Sequence, residues 1–291
     1  MDRRSLQTFR TVAETGSVSA AAGKLHCVQS AVTARIRRLE EEIGVTLFLR
    51  SRRGMRPTPA GEVLLDYAVR VLRLLDSAER AMRDLTGNGG LLRLGTMETT
   101  LAARLPPLLA AFRRRHPEVR LRLSSGPTDD LLRALLADEL DAALVGGRVQ
   151  HPELLAEPVF VEEMVLVMPP GVRDPAALED RLLFVFRRGC AYRAFAEQWL
   201  RRSGLAPVEI AELGTLEGIL GCVAAGLGLT LLPRSVAARP PYRDLLTLRS
   251  LAGGGSLVTV LCHHRDRPGG RALEGFRDLL RGGSPAVPPP P

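Results

Sequence analysis

Between positions 50 and 56 the chain reads Arg50-Ser51-Arg52-Arg53-Gly54-Met55-Arg56, four guanidinium groups with no acid among them. A guanidinium offers a rigid fork of donors to phosphate oxygens, so a cluster of this kind suits a polyanion whose charges repeat along a backbone. Taken alone, the same run is what an ordinary solvated face carries. A different chemistry sits in Thr96-Met97-Glu98-Thr99-Thr100 and in Ser124-Ser125-Gly126-Pro127-Thr128. Each stretch follows an apolar run of strand length and precedes a helical pattern, which puts hydroxyls and free first-turn amides where an open α/β sheet binds small ligands, anions above all. For any one hydroxyl, a plain helix cap is an equal reading. Glu98 does not suit a purely anionic ligand. It either stabilises the first turn of its own helix or recognises an amino group on the ligand.

Groups that would transform a bound molecule are not found. The sequence has no Gly-x-Ser-x-Gly elbow, no His-Glu-x-x-His, no Gly-x-x-x-x-Gly-Lys loop and no Gly-x-Gly-x-x-Gly opening a helix. Gly226-x-Gly228 lacks the third glycine. His263 and His264 are adjacent on a strand pattern, whose alternation sends them to opposite faces and away from a shared metal. Cys27, Cys190, Cys222 and Cys262 are scattered, without a Cys-x-x-Cys pair; packed, reduced thiols are the simple reading, and no spacing favours a redox pair. An enzyme, a resident metal and a cofactor are therefore not expected.

The elements that must hold these groups can be read from periodicity. Leu6, Phe9, Val12 and Ala13 recur at helical spacing up to Gly16, a suitable carboxyl-terminal cap. Ser17 or Ser19 can cap a short second helix over 20–25, and a turn comes next at His26-Cys27-Val28. From Gln29 to Ile43, the residues Val32, Ile36, Leu39 and Ile43 form one stripe, which leaves Ser30, Thr33, Ala34, Arg37 and Arg38 on the opposite face. Two short helices and a third with a basic outer face make a helix-turn-helix. Val45, Leu47 and Leu49 then alternate into the arginine cluster, which in this position reads as a phosphate-holding wing built on Arg50, Arg52, Arg53 and Arg56.

Thr58-Pro59 opens another helix, with Thr as cap and Pro at the first helical position. Along it Leu64, Tyr67, Val71, Leu74, Ala78, Ala81 and Leu85 fall at alternating spacings of three and four, a stripe that can lie on its own domain but reads here as a seam for pairing two chains. Gly87-Asn88-Gly89-Gly90 separates this helix from the larger carboxyl-terminal part of the chain. Charge divides in the same way: residues 1–90 hold 15 Lys and Arg against 10 Asp and Glu, +5 of the formal +8, and Lys24 is the only lysine. A basic module on a nearly neutral body points to a polyanion partner for the module.

Beyond Gly90 the pattern predicts strand 91–95, helix 101–116, strand 119–124, helix 129–138 and strand 141–145, a lobe with a mainly parallel sheet. A second set comprises strands 165–168 and 183–186, helix 192–203, strand 208–211, helix 216–225, a turn into a buried strand over 226–233, strand 257–263 and helix 270–280. Two such lobes imply a cleft. The boundaries read as 1–58 for the winged module, 59–87 for the dimerising helix, 91–281 for the two-lobed domain and 282–291 for a disordered, proline-ended tail. No run approaches the roughly 18 apolar residues of a spanning helix, and no apolar signal core opens the chain, so a cytoplasmic protein without a membrane partner is expected.

The phrases Leu6-Gln7-Thr8-Phe9, Gly16-Ser17-Val18-Ser19-Ala20-Ala21-Ala22, Gln29-Ser30-Ala31-Val32-Thr33, Ile36-Arg37-Arg38-Leu39-Glu40, Leu47-Phe48-Leu49-Arg50 and Thr58-Pro59-Ala60-Gly61 resemble the LysR-type DNA-binding domain. Residues 92–95, Leu140-Asp141-Ala142-Ala143-Leu144 and Val223-Ala224-Ala225-Gly226-Leu227-Gly228 more loosely resemble that family's periplasmic-binding-protein-like effector domain. The resemblance implies an amino-terminal winged helix-turn-helix with a linker helix, a carboxyl-terminal two-lobed α/β domain, and regulation of transcription on double-stranded DNA. It also implies homodimers assembled into tetramers, with RNA polymerase as a further partner. Thr33-Ala34 stands where many members carry Ser-Arg, and Arg35 where Gln is frequent, so contacts to individual bases do not carry over. Ser30, Thr33 and Arg37 are the expected groove contacts, Gln29 joins them in the DNA-binding set, and Arg35 serves a phosphate or a structural pair. The resemblance places the effector cleft at the loops of Thr96, Glu98, Thr99, Thr100 and Thr128, joined by Gly146, Cys190, Tyr192 and Thr215. The expected occupant is a small metabolite bearing a carboxylate.

Overall fold

Leu6, Phe9 and Val12 are one helical face, and the helix that carries them starts and stops where the sequence allows. α1 (Arg3–Thr15) opens with the Asp2 carboxylate accepting from the Ser5 amide at 2.7 Å and closes at Gly16, whose φ of 63° is left-handed. α2 (Val18–Lys24) is capped by Ser17, and α3 (Gln29–Ile43) ends at Gly44 with φ 79°. A two-stranded hairpin comes next, β1 (Phe48–Ser51) and β2 (Gly54–Pro57), and then α4 (Pro59–Leu85), whose start is capped by Thr58 Oγ1 accepting from the Gly61 amide at 3.0 Å. Leu6, Phe9, Val12, Ala21, Val32, Ile36 and Leu39 meet Leu47, Phe48 and Met55 in one buried core, with the Phe9 and Phe48 rings 5.1 Å apart.

The computed structural model describes residues 1–51, 54–85, 90–178, 182–204, 209–252, 254–265 and 270–283. Arg52 and Arg53, the link at 86–89, residue 208 of an expected strand and the tail from 284 lie outside them. The chain divides into two units, Met1–Leu85 and Thr86–Pro291.

In the second unit the order is β3 (Leu91–Thr96), α5 (Glu98–Ala103), α6 (Leu105–Arg115), β4 (Arg120–Ser125), α7 (Thr128–Leu136), β5 (Ala142–Gly146), β6 (Leu154–Met168), β7 (Leu182–Val185), α8 (Ala191–Ser203), β8 (Glu209–Glu212), α9 (Leu216–Ala224), β9 (Thr230–Pro233), α10 (Arg234–Ala237), β10 (Thr247–Ser250), β11 (Ser256–His264) and α11 (Gly270–Gly283). β3 runs parallel to β4 and β5; β11 lies antiparallel between β5 and β6. β6 is the bridge between lobes. Its first part pairs with β11, and its last residues pair with β9 and β10 in the second lobe, where β7 and β8 form a separate parallel pair.

Three expectations are corrected. The sheet of the first lobe is mixed rather than mainly parallel, because β11 returns to it from the far end of the chain. The single helix expected over 101–116 is two, broken at Arg104: Pro106 and Pro107 fit a first helical turn but would remove hydrogen bonds from a helix interior. The long strand β6 was expected only at its end. Its first part mixes Glu157, Pro158, Glu162 and Glu163 among apolar residues, and Pro158 is accommodated where the pairing with β11 shifts register at Thr259/Val260.

Candidate functional site

In the first unit, Val32, Ile36 and Leu39 turn α3 so that its other side faces solvent: Gln29, Ser30, Ala34, Arg37 and Arg38 are exposed, Thr33 and Arg35 half-buried. Gln29 Nε2 donates to Ser19 Oγ at 2.9 Å, which ties the start of α3 to α2. Glu40 fixes the other end, its Oε1 accepting from the Leu47 amide at 2.7 Å and the Phe48 amide at 3.3 Å, so the hairpin leaves α3 in a set direction. The Met55 amide donates to Gly16 O at 2.8 Å, and at Gly54 (φ 112°) a Cβ would lie 2.4 Å from that same carbonyl. Only glycine permits this approach of the wing to the end of α1. Arg56 is exposed on β2, and Arg50 belongs to β1. Among the described residues, none forms an ion pair with Arg35, Arg37 or Arg56.

α4 has two apolar faces. Ala68 and Leu72 are buried in the core of their own unit, with Leu64 and Leu65 leaning on it. Tyr67 is 59 % exposed and Leu74 64 %; Val63, Val71, Leu75 and Met82 are exposed as well. Of the expected seam, Leu64 thus joins its own unit's core, whereas Tyr67, Val71 and Leu74 stand outward. The Arg3 guanidinium pairs with Asp76 and Glu79 and so braces α1 against this helix.

In the second unit, Met97, Glu98, Thr99, Ser125, Gly126, Pro127, Phe186, Arg187, Cys190, Tyr192 and Gly214 line a partly open pocket between the lobes. Beside it lies a wider groove that includes Thr128, Gly146, Cys190 and the start of α8. The lobes touch between the two cavities: the Asp129 amide donates to Gly189 O at 3.1 Å, and a Cβ on Gly146 would lie 2.8 Å from Ala191 Cβ. Glu98 Oε1 accepts from the Leu216 amide, at the start of α9, at 3.0 Å. Burial pushes the Tyr192 hydroxyl up to about 12, so it is a neutral donor; the Thr99 and Thr100 hydroxyls near it offset this only in part. Among the described residues, no hydrogen bond of good geometry reaches the buried Thr99 Oγ1. Burial likewise raises the Cys190 thiol, so this sulfur is held protonated rather than as a nucleophilic thiolate.

The expected effector residues therefore divide. Glu98, Thr99, Cys190 and Tyr192 meet around one pocket, and Thr128 and Gly146 line the neighbouring groove with Cys190. Thr96 and Thr100 are buried beside them, with Thr96 Oγ1 donating to Met97 O, and Thr215 caps α9 by accepting from the Gly218 amide. His263 and His264 do go to different partners, Glu157 at 3.0 Å and Asp138 at 4.0 Å.

Residues 86–284 match the model of the LysR substrate binding domain, and residues 3–62 that of the bacterial regulatory helix-turn-helix protein, lysR family. The chain belongs to the LysR family. It is accordingly a DNA-binding transcriptional regulator with an effector-binding domain, not an enzyme. Among LysR-family relatives it is 42 % identical to the HTH-type transcriptional regulator GltR of Bacillus subtilis (strain 168), over 97 % of this chain and 96 % of that protein. It is 37 % identical to the HTH-type transcriptional regulator SoxR of Arthrobacter sp. (strain TE1826), over 97 % of each. Among solved structures, a full-length OxyR variant from Pseudomonas aeruginosa is similar with TM-score 0.69 and 26 % identity, over 97 % of this chain and 95 % of that one. Full-length CbnR complexed with its target DNA is similar with TM-score 0.68 and 26 % identity, over 97 % and 99 %.

Sequence reasoning about this LysR-family chain missed Phe186 and Arg187 in the pocket wall and a polar brace behind it. Arg104, at the break between α5 and α6, donates to both oxygens of Glu162 on β6 at 2.8 and 3.0 Å, and Ser235 of α10 donates to the same carboxylate at 2.6 Å. The signal that could have exposed the brace is Glu162 itself. A carboxylate in an apolar strand run is buried only with a partner.

Proposed function

We propose that two copies of this chain pair through the outward face of α4 and set two α3 helices into successive major grooves of an operator. Gln29, Ser30, Thr33 and Arg37 address base edges, Arg35 a phosphate, and the wing arginines Arg50, Arg52, Arg53 and Arg56 the flanking phosphates. A small carboxylate-bearing metabolite bound among Glu98, Thr99, Cys190 and Tyr192, with Thr96, Thr100, Thr128, Gly146 and Thr215 shaping the loops around it, changes the complex on DNA without being altered. The active form is a tetramer of paired dimers acting in the cytoplasm with RNA polymerase.

The observation that carries this reading is the outer face of α3: exposed polar and basic side chains, of which Arg37 has no ion pair among the described residues and Arg38 pairs only with Glu42 one turn along, on a helix whose other side is locked into the core. The test is anisotropy titration of operator and random duplexes across a salt series. Arg56→Ala should weaken binding to all sequences alike and reduce the salt slope by about one. Thr33→Val should change preference at particular base pairs. Equal affinity of the wild type for operator and random DNA at physiological salt would end the proposal.

A further inference from the structure

Glu98 stands at the first position of α5 in one lobe, but its carboxylate is used by the other: Oε1 accepts from the Leu216 amide at 3.0 Å. Leu216 is the first residue of α9, nine residues long, where unpaired amides and the helix dipole gather positive charge. The Thr215 cap takes the Gly218 amide at 3.1 Å and leaves the Leu216 amide to the cleft. Such a terminus selects carboxylates and phosphates, and here the chain supplies its own. The seat borders the pocket that Glu98, Thr99 and Gly214 line. Thr99 is 1 % exposed and, among the described residues, no hydrogen bond of good geometry reaches its Oγ1, so the same wall carries a second polar group that a ligand can satisfy.

We propose that Glu98 is a built-in competitor for the effector: it holds the amino terminus of α9 until a ligand carboxylate takes the Leu216 amide and expels it. The proposal rests on reading this cleft as the site of a carboxylate effector, and adds where the carboxylate binds and the contact that it breaks. Two carboxylates drawn to one N–H repel each other, so a ligand carboxylate bound at the Leu216 amide favours release of Glu98. Because the Glu98 to Leu216 bond spans the lobes, its loss is a contact difference between two arrangements, which a ligand needs if it is to shift a population. At the other end of α5 the lobes stay tied through Arg104, Glu162 and Ser235, and through Arg239 donating to Ala102 O. The exchange therefore loosens the lobes at α9 and leaves those contacts in place.

The experiment compares the full-length protein with Glu98→Ala and Glu98→Gln, the second keeping an acceptor of the same shape without its charge. Hydrogen exchange at the Leu216 amide is read first, without ligand. Acetate, benzoate and succinate, with ethylamine and benzylamine as controls, are then titrated against the fluorescence of Trp199, the chain's only tryptophan, on α8. Expected are exchange at Leu216 about tenfold faster in Glu98→Ala, and carboxylate affinity about tenfold higher than in the wild type, with Glu98→Gln between them. Amines should gain nothing. If the Leu216 amide exchanges equally in all three proteins, or carboxylates bind Glu98→Ala no more tightly, the competitor is refuted while the cleft reading stands. Weaker amine binding in Glu98→Ala would instead make Glu98 a receptor for an ammonium group. Carboxylates that leave no mark on the cleft of any of the three proteins would remove both readings.

Discussion

Thr99→Val should make the effector domain more stable while it removes the response to effector. Thr99 is 1 % exposed and, among the described residues, no hydrogen bond of good geometry reaches its hydroxyl, with the Tyr192 hydroxyl near enough only for a weak interaction, so folding strips water from this group and returns little. A stranded buried hydroxyl costs roughly 1–3 kcal/mol, and replacing it with a methyl of similar size removes that cost and adds some apolar burial. Both side chains are β-branched, with similar helix propensity, so the second position of α5 is not itself disturbed. We expect a net gain of about 1 kcal/mol, or roughly 2–4 °C in melting temperature for a domain of this size. Trp199, in the second unit, lets urea or thermal unfolding of that unit be followed in the full chain by fluorescence. A loss of about 1 kcal/mol or more would mean that Thr99 Oγ1 has a protein partner, most simply the Tyr192 hydroxyl. The argument that it awaits a ligand would then collapse.

Leu74, 64 % exposed on α4, should tolerate Asp in an isolated chain but not in a seam between chains, so Leu74→Asp should cut the dimer fraction in sedimentation velocity and lower operator affinity; an unchanged dimer would place the interface elsewhere. For Glu157 on β6, burial alone would raise the carboxyl pKa, but donation from His263, Arg277 and Arg281 outweighs it and holds the group below its ordinary 4.5. A carboxylate with a depressed folded pKa contributes stability above its unfolded value and loses it as pH falls through the folded one. Glu157→Gln should therefore lower the urea midpoint at pH 7 and flatten the decline between about pH 5 and pH 3, whereas an acid limb as steep as the wild type's would show that this cluster does not set it.

Much of the first unit was legible from sequence, because its determinants are local, although Ile43, counted in the stripe of α3, stands 39 % exposed at the end of that helix. The stripes of α1 and α3, the Ser17 and Thr58 caps, and the left-handed Gly16 are set by spacing and by the conformations a residue permits. What tertiary structure decided lies between distant positions. Residue spacing assigned α4 one apolar seam, but the helix presents two faces, since Leu64 and Leu72 turn to a core whose location no heptad count contains. The return of β11 to β5 made the first sheet mixed, and β6 was hidden by carboxylates whose partners are Arg104, Ser235, Arg234 and Arg277. Glu98 is the clearest case. Its position at a helix start offered two local roles, yet it caps a helix 118 residues away, because what a carboxylate binds is decided by the donor that folding brings within 3.0 Å of it.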